Sequence, residues 1–208
     1  MEPAVTHLLC DEAELRALYG PPLERSVRKQ RDSLDHHCRA FIAASPLMIL
    51  STQGVGAADN SPRGDLPGFV RVADDRTLLI PDRRGNNRID SLLNILRNPR
   101  VGLLFLVPGV NETFRVNGDA VISRDPALLE SFAVQGKAPR TVLIVEVKEA
   151  YIHCSRALVR ADLWNPARFA AQGSLPTFGA VMEAHTCGFV DGRALDEENK
   201  TRVPATLY

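Results

Sequence analysis

Residues 47–152 contain about six short segments with strand character, joined by linkers too short and turn-like for repeated crossovers. In the clearest segment, Thr141–Tyr151, Val and Ile alternate with Thr, Glu and Lys, which indicates a strand with one buried face. Asp74 and Asp75 separate two further apolar runs, as in a hairpin turn. Parallel neighbours need long crossover connections, so the spacing favours a closed antiparallel barrel over a doubly wound parallel sheet.

The remaining segments complete this expectation. The other five strands are expected over Leu47–Thr52, Gly68–Val72, Arg76–Pro81, Val101–Val107 and Thr113–Ile122. Helical spacing or capping residues predict helices over Asp11–Leu18, Asp32–Ala44, Asn87–Leu96 and Asp125–Val134. The fold class is therefore expected to be mainly β, a six-stranded antiparallel barrel with flanking helices.

The composition is that of one ordinary globular domain. A chain of 208 residues with 45% hydrophobic content can bury a sizeable core without disulfides. We expect a single domain over residues 1–208, with a barrel at 46–152 and helical or irregular covers at 1–45 and 153–208. Lys and Arg number 25 and so do Asp and Glu, and this balance argues against a nucleic-acid-binding protein.

The sequence has few features that indicate a cellular location or a metal site. No apolar run approaches the roughly 18–20 residues of a membrane helix, and the acidic, mixed N-terminal segment lacks a secretory pattern. The four cysteines lie far apart without a C-x-x-C motif. We therefore expect reduced thiols, a cytoplasmic location, no membrane partner and no metal site.

The segment Pro81–Asp90 has the strongest functional signal, since three arginines and two asparagines fall within six of its residues. If Asn86, Asn87 and Arg88 begin a helix, their free N–H groups attract an anion, and arginine adds charged donors. A phosphate site is one interpretation of this segment. The other is a solvated turn with an asparagine helix cap.

A second candidate is Asn60–Asp65, where Ser61 and Arg63 accompany a glycine that lets the backbone approach a ligand closely. The alternative is an ordinary loop with a surface arginine. On the strand that begins at Thr113, every second side chain is polar, so this face lines a site or meets solvent.

Residues that follow the last strand are a third candidate. His153 and Cys154 have no partners at a spacing diagnostic of metal binding or nucleophilic catalysis, and Arg160 and Trp164 come soon after. The chain also lacks the nucleotide-binding and hydrolase motifs G-x-G-x-x-G and G-x-S-x-G. We assign no catalytic residue, and this combination suggests that a cofactor supplies the reactivity.

Four motifs occur in an order that resembles the pyridoxamine 5′-phosphate oxidase-like flavoproteins, in particular their FMN-binding bacterial relatives. They are Ser61–Asp65, Leu79–Arg88, Phe114–Gly118, and His153–Ala157 followed by Leu163 and Trp164. The likeness spans about residues 30–185. It implies a six-stranded split barrel and a homodimer with one FMN at each of two sites between the subunits.

The resemblance also implies roles for individual residues. Arg63, Asn87 and Arg88 would hold the FMN phosphate, and Ile80 and Pro81 would run along the edge of the isoalloxazine ring. Thr113 falls where the oxidases have a flavin-contacting glutamine. The remaining expected cofactor contacts are Ser61 and Asn86, with His153, Arg156, Arg160 and Trp164 from the partner chain.

The sequence departs from the oxidases at the substrate site. It lacks their basic strand motif, and Arg193–Tyr208 has no arginine–histidine pair, so oxidation of vitamin B6 phosphates is not expected. The main expectation is an FMN-dependent oxidoreductase that transfers hydride through flavin N5 to or from a small molecule. The alternatives are a flavin-binding or sensing module without catalysis, the same barrel with deazaflavin or haem, and a dimeric scaffold that binds no ligand.

Overall fold

The computed structural model describes residues 6–208, so the first five residues of the expected N-terminal cover lie outside it. Within that range the strands are β1 Leu47–Gln53, β2 Ala58–Gly64, β3 Arg71–Val72, β4 Thr77–Asp82, β5 Arg100–Leu106, β6 Thr113–Ser123 and β7 Thr141–His153. The helices are α1 Glu12–Tyr19, α2 Glu24–Arg28, α3 His36–Ala44, α4 Asp90–Arg97, α5 Pro126–Ser131, α6 Arg156–Ala161, α7 Phe178–His185 and α8 Gly192–Ala205, with a 3₁₀ turn at Pro166–Arg168.

The strands form one sheet in the order β2-β1-β5-β6-β7-β4-β3, and the neighbours are antiparallel. This confirms the mainly β antiparallel fold, but the described chain has seven strands rather than six. The additional strand is β2, which overlaps the stretch treated above as a loop. Pro62 argued against a strand here, because proline lacks an N–H donor. β2 tolerates this proline because it is an edge strand that pairs only with β1.

The sheet curls until its two margins meet. In sheet order, β2 and β4 are five strands apart, roughly 24 Å if the sheet were flat. Yet Arg63 on β2 and Asp82 at the end of β4 form an ion pair. The sheet is therefore closed into a barrel with a split along this seam, as the fold prediction requires.

The interior of the barrel is filled by alternate side chains of the long strands, as a half-buried sheet requires. Met48 and Leu50 of β1 and Phe105 of β5 are fully buried, and Ile42 of α3 closes the core from outside. α3 begins at His36 rather than at the predicted Asp32. Asp35 is the cap, and its Oδ1 accepts hydrogen bonds from the N–H groups of His37 and Cys38 at 3.0 Å each.

Among the other helices, α4 and α5 pack against strands of the barrel. α1 and α5 agree with the predicted segments, although α5 ends at Ser131 rather than near Val134. α7 and α8 pack against each other where Gly179 meets Gly192. Across residues 6–208, no helix combines the length and apolar character needed to cross a membrane.

Candidate functional site

A cavity of about 630 Å³ lies along the split of the barrel. β2 forms one wall, the end of β4 and the start of β7 form the other, and residues 83–89 with the first turn of α4 close it. The wall residues are both polar and apolar, which suits a ligand with a ring and a charged end. We call this space the seam cavity.

Six of the predicted cofactor contacts line the seam cavity. They are Ser61, Arg63, Pro81, Asn86, Asn87 and Arg88. The sequence presented these residues as two separate motifs, about twenty positions apart. The curl of the sheet brings the two motifs together, because it places β2 opposite the end of β4.

The other six predicted contacts do not line the seam cavity. Ile80 is only 1% exposed and packs in the barrel core, since strand alternation turns it away from the side occupied by Pro81. Thr113 and His153 face each other across the β6–β7 pair. Arg156, Arg160 and Trp164 follow β7, and the Trp164 indole N–H donates to the Val110 carbonyl at 2.9 Å.

The predicted helix start in this region is wrong. Helical spacing placed it at Asn87, but α4 begins at Asp90. Asn87 and Ile89 have φ angles of 63° and 53°, and this left-handed backbone cannot continue into a right-handed helix. Asn86–Arg88 therefore contribute to the seam cavity as an irregular loop, and the expectation of free N–H groups there from a first helical turn is corrected.

Arg63 is held in place by its ion pair with Asp82 and is about one-fifth exposed. Its Nε is buried, and it has no hydrogen-bond partner within the described part of the chain. The hydroxyl of Thr141, on the opposite wall, is also buried without a partner among these residues. An unsatisfied buried polar atom costs about 1–3 kcal/mol, so two of them on residues that line one cavity indicate a place for a polar ligand.

Two of the three arginines in this segment, Arg83 and Arg88, are already paired. Arg83 lines the seam cavity but is engaged by other groups, with its Nε 2.8 Å from Asp65 Oδ2 and its Nη1 2.8 Å from the Phe132 carbonyl. Burial tends to raise the pKa of Asp65, but hydrogen bonds from Tyr208, the Leu66 N–H and Arg83 outweigh burial and lower that pKa. Arg88 is mostly exposed, and its Nε lies 2.8 Å from Asp90 Oδ2.

A small polar network fixes the wall of the seam cavity at α4. Ser91 Oγ donates to Asp59 Oδ2 at 2.7 Å, and Asn94 Nδ2 donates to Thr52 Oγ1 at 3.0 Å. Ser91 and Asn94 are buried, so these bonds tie the helix to β1 and β2. The network keeps the first turn of α4 against the seam cavity.

Sequence reasoning missed the residues that join the seam cavity from β7 and its preceding loop. Arg140 and Thr141 line it because β4 pairs with β7 in a register that sets Asp82 opposite Thr141. Arg140 Nη1 donates to Asn87 Oδ1 at 3.1 Å. No local pattern marks either residue, and only the pairing of β4 with β7 would have indicated them.

The sequence profile of the pyridoxamine 5′-phosphate oxidase family matches residues 34–154, more than half of the chain. The chain belongs to the pyridoxamine 5′-phosphate oxidase family. The resemblance found in the sequence is thereby confirmed. The matched range of this oxidase-family chain includes every wall of the seam cavity, whereas Arg156, Arg160 and Trp164 lie beyond it.

Solved structures similar to this oxidase-family chain share limited identity with it. HupZ of Group A Streptococcus is 20% identical, with coverage of 56% of this chain and 91% of its own and a TM-score of 0.46. General stress protein 26 of Bacillus anthracis is 20% identical, with coverages of 54% and 88% and a TM-score of 0.41. An FAD binding protein of Mycobacterium smegmatis is 16% identical, with coverages of 58% and 95% and a TM-score of 0.39. No curated protein matches the sequence significantly.

A second polar cluster lies at the far end of β7, twelve residues or roughly 40 Å of extended strand from Thr141. His153 Nε2 is buried without a hydrogen-bond partner among the described residues. Its burial, with the charges of Arg115 and Lys29 nearby, lowers the pKa of His153. The neutral imidazole is therefore favoured, and this cluster is separate from the seam cavity of the same oxidase-family chain.

Proposed function

We propose that this member of the oxidase family binds FMN in the seam cavity and acts as an FMN-dependent oxidoreductase on a small molecule. The observation that carries the proposal is that Arg63 and Thr141, two residues that line one cavity, each hold a buried polar atom without a partner among the described residues, Nε and Oγ1. The volume of the seam cavity, about 630 Å³, falls within the roughly 300–1,000 Å³ typical of ligand sites.

The residues of the seam cavity fit a phosphate-bearing ring. Arg63 offers a buried, charge-assisted donor to the phosphate, and Thr141 adds a hydroxyl on the facing wall. Asn87 and Arg88 flank the same end, and Ser61 adds a further hydroxyl. Pro81 presents an apolar edge to the ring. When bound, FMN would supply the hydride-accepting ring chemistry, and the protein would anchor and orient the ring.

Five of the predicted contacts outside the seam cavity support a two-chain site. Thr113, His153, Arg156, Arg160 and Trp164 do not line the seam cavity of their own chain. If these residues contact the flavin, as the sequence resemblance implies, they reach it from a second copy. We therefore propose a homodimer with one FMN at each of two sites between subunits, and a single domain whose barrel carries the site.

The chemistry of the cavity wall bears on the alternatives. Among the described residues that line it there is no histidine, cysteine, methionine or tyrosine, the usual axial ligands of haem iron. The wall that one chain supplies therefore suits a flavin-type ligand better than haem, and the proposed two-chain site would add one histidine, the partner's His153. The three aspartates of the wall, Asp59, Asp82 and Asp90, are already engaged by Ser91, Arg63 and Arg88 respectively. The lack of a free proton-transfer group on the wall that one chain supplies favours, as the second candidate function, a flavin-binding module without catalysis.

A cytoplasmic location is part of the proposal. The four cysteines are all free, and three of them are exposed. Exposed free thiols are typical of proteins in a reducing compartment. Fractionation of cells that produce the full-length protein would test this, and recovery in a membrane or extracellular fraction would contradict it.

The experiment that tests the proposed cofactor is direct. The protein is purified, its absorption spectrum is recorded, and any chromophore released by denaturation is identified by mass. We expect FMN, or a colourless protein that takes up FMN stoichiometrically. Failure to bind FMN, or release of haem or a deazaflavin, would overturn the cofactor assignment.

A second experiment separates the two candidate functions. The bound flavin is reduced, and its reoxidation by a panel of small-molecule acceptors is compared with that of free FMN. Faster turnover on the protein supports the oxidoreductase. Reoxidation no faster than in solution, with every acceptor, supports the binding module.

A further inference from the structure

A second cavity, of about 340 Å³, adjoins the seam cavity on the side of the loop that precedes β7. Its walls are Arg83, Arg84, Lys137, Ala138, Pro139, Arg140 and Tyr208. Four of these seven residues are cationic and none is acidic. We call this space the basic pocket.

The basic pocket and the seam cavity meet at shared residues. Arg83, Arg84 and Arg140 line both. Arg140 also bonds Asn87, a predicted phosphate contact of the seam cavity. A ligand held at the phosphate end of the seam cavity would therefore have its anionic end next to the basic pocket.

Two of the four cations in the basic pocket, Arg84 and Arg140, lack an acidic partner among the described residues. Arg83 is neutralised by Asp65. Within residues 6–208, Arg84 has no side-chain hydrogen bond or ion pair, and Arg140 donates only to the neutral amide of Asn87. Lys137 Nζ donates to the main-chain oxygen of Tyr208 at 3.1 Å.

This local excess of charge is unusual for the chain. Acidic and basic residues balance over the whole sequence, at 25 each. Like charges gathered around one concave space repel each other and raise the local concentration of anions. Arginine donors arranged as a fork match the oxygens of a phosphate better than a lone ammonium group does.

We propose that the basic pocket binds a second phosphate group, beyond the monophosphate held in the seam cavity. This inference rests on the proposed function, because it takes the seam cavity as the site of the first phosphate. Arg84 and Arg140 are its main donors, with Lys137 beside them. The second phosphate belongs either to the same ligand, as in a flavin dinucleotide, or to a separate phosphorylated molecule bound next to FMN.

The test compares three probes on the full-length protein: FMN, FAD, and inorganic pyrophosphate added to the FMN-loaded protein. Each dissociation constant is measured for the wild type, Arg84→Ala and Arg140→Ala. Arg124→Ala is the matched control, because Arg124 is exposed and lines neither space. Circular dichroism confirms that the variants are folded.

Because Arg84 and Arg140 also line the seam cavity, we expect each variant to weaken the binding of FAD or pyrophosphate about five- to tenfold more than it weakens the binding of FMN. A loss with FAD alone assigns the phosphate to a dinucleotide ligand, and a loss with pyrophosphate assigns it to a separate molecule. The inference is overturned if neither probe responds to Arg84→Ala or Arg140→Ala more than to Arg124→Ala.

The same experiment distinguishes failure of the proposed function from failure of the basic-pocket inference. Normal FMN binding without any effect on FAD or pyrophosphate leaves the proposed function intact and removes the basic pocket. If the wild type fails to bind FMN, the proposed function fails, and pyrophosphate is then titrated into the ligand-free protein. An Arg84-dependent affinity there still supports an anion site in the basic pocket, and none rejects it.

Discussion

At the scale of single residues, Arg63 is the strongest candidate for contacting the phosphate. Its carboxylate partner Asp82 fixes the guanidinium, and the buried Nε remains free to donate. A fixed donor loses little conformational entropy when a ligand binds, so it contributes more than a mobile surface arginine. Arg63 is therefore the residue whose removal tests the phosphate site most directly.

Arg63→Ala should weaken FMN binding by about 1.5–3 kcal/mol, the value of a hydrogen bond to a charged group. Riboflavin, which lacks the phosphate, should bind the variant and the wild type with similar affinity. Isothermal titration with both ligands measures the difference, and Arg124→Ala serves as the control. Equal losses for FMN and riboflavin would show that Arg63 does not contact the phosphate.

Arg88→Ala should weaken FMN binding less than Arg63→Ala does. Arg88 is 76% exposed on its side chain and paired with Asp90, so binding a phosphate exchanges one partner for another. Asp90→Asn, which releases Arg88 from this pair, should strengthen FMN binding. An unchanged dissociation constant in Arg88→Ala would remove this residue from the site.

At the scale of secondary-structure elements, the cap of α3 connects the local sequence to stability. The N–H groups of Cys38 and His37 and the nearby Arg31 lower the pKa of Asp35 to about 2, against its slight burial. Because the pKa of Asp35 is lowered in the folded state, the ionised carboxylate stabilises the fold at pH values above its ordinary pKa of 3.8. The contribution is lost as the pH falls from about 4 towards 2.

Asp35→Asn keeps a cap but removes its charge, so it should cost about 0.3–1 kcal/mol at pH 7, the value of a charge at a helix end. Urea unfolding at pH 7, 4 and 2.5 measures the difference from the wild type, which should shrink as the pH falls. Asp11→Asn is the control, since Asp11 caps α1, a helix that buries no residue. A difference that stays constant with pH would contradict the assigned role.

The elements also show how far sequence reasoning can reach. Alternation of apolar residues predicted β6 and β7 closely, because each buries alternate residues along most of its length. The sequence did not predict β2, because this edge strand pairs on one side only and its composition is that of a loop. The start of α4 was misplaced because Asn87 and Ile89 adopt left-handed backbone that no periodicity reveals.

At the scale of the whole molecule, the seam cavity depends on contacts that join distant parts of the sequence. Arg63 and Thr141 are 78 positions apart, and they become facing walls only when the sheet curls. The sequence could therefore predict Arg63 and Asn86–Arg88 as candidates through their composition, but not Arg140 or Thr141. The predicted cofactor contacts outside the seam cavity, among them His153 and Arg160, could reach a flavin only from a second chain, which leads to the last prediction.

The protein should be a dimer in solution, with a mass by light scattering twice the 22.8 kDa of one chain. Complementation then tests whether each site draws on both chains. Arg63→Ala and Arg160→Ala are each expected to weaken FMN binding at both sites of their own dimer. In mixed dimers of the two variants, one site lacks both arginines and the other lacks neither.

Mixed dimers should therefore recover wild-type affinity at half of their sites if Arg63 and Arg160 reach the same flavin from different chains. If both arginines came from one chain, every site of a mixed dimer would lack one of them, and no high-affinity site would return. Differently tagged variants, unfolded together, refolded and purified by both tags, provide the mixed dimer. A monomeric protein with one FMN per chain would contradict the shared site at once, because a single chain would then hold the flavin without its partner.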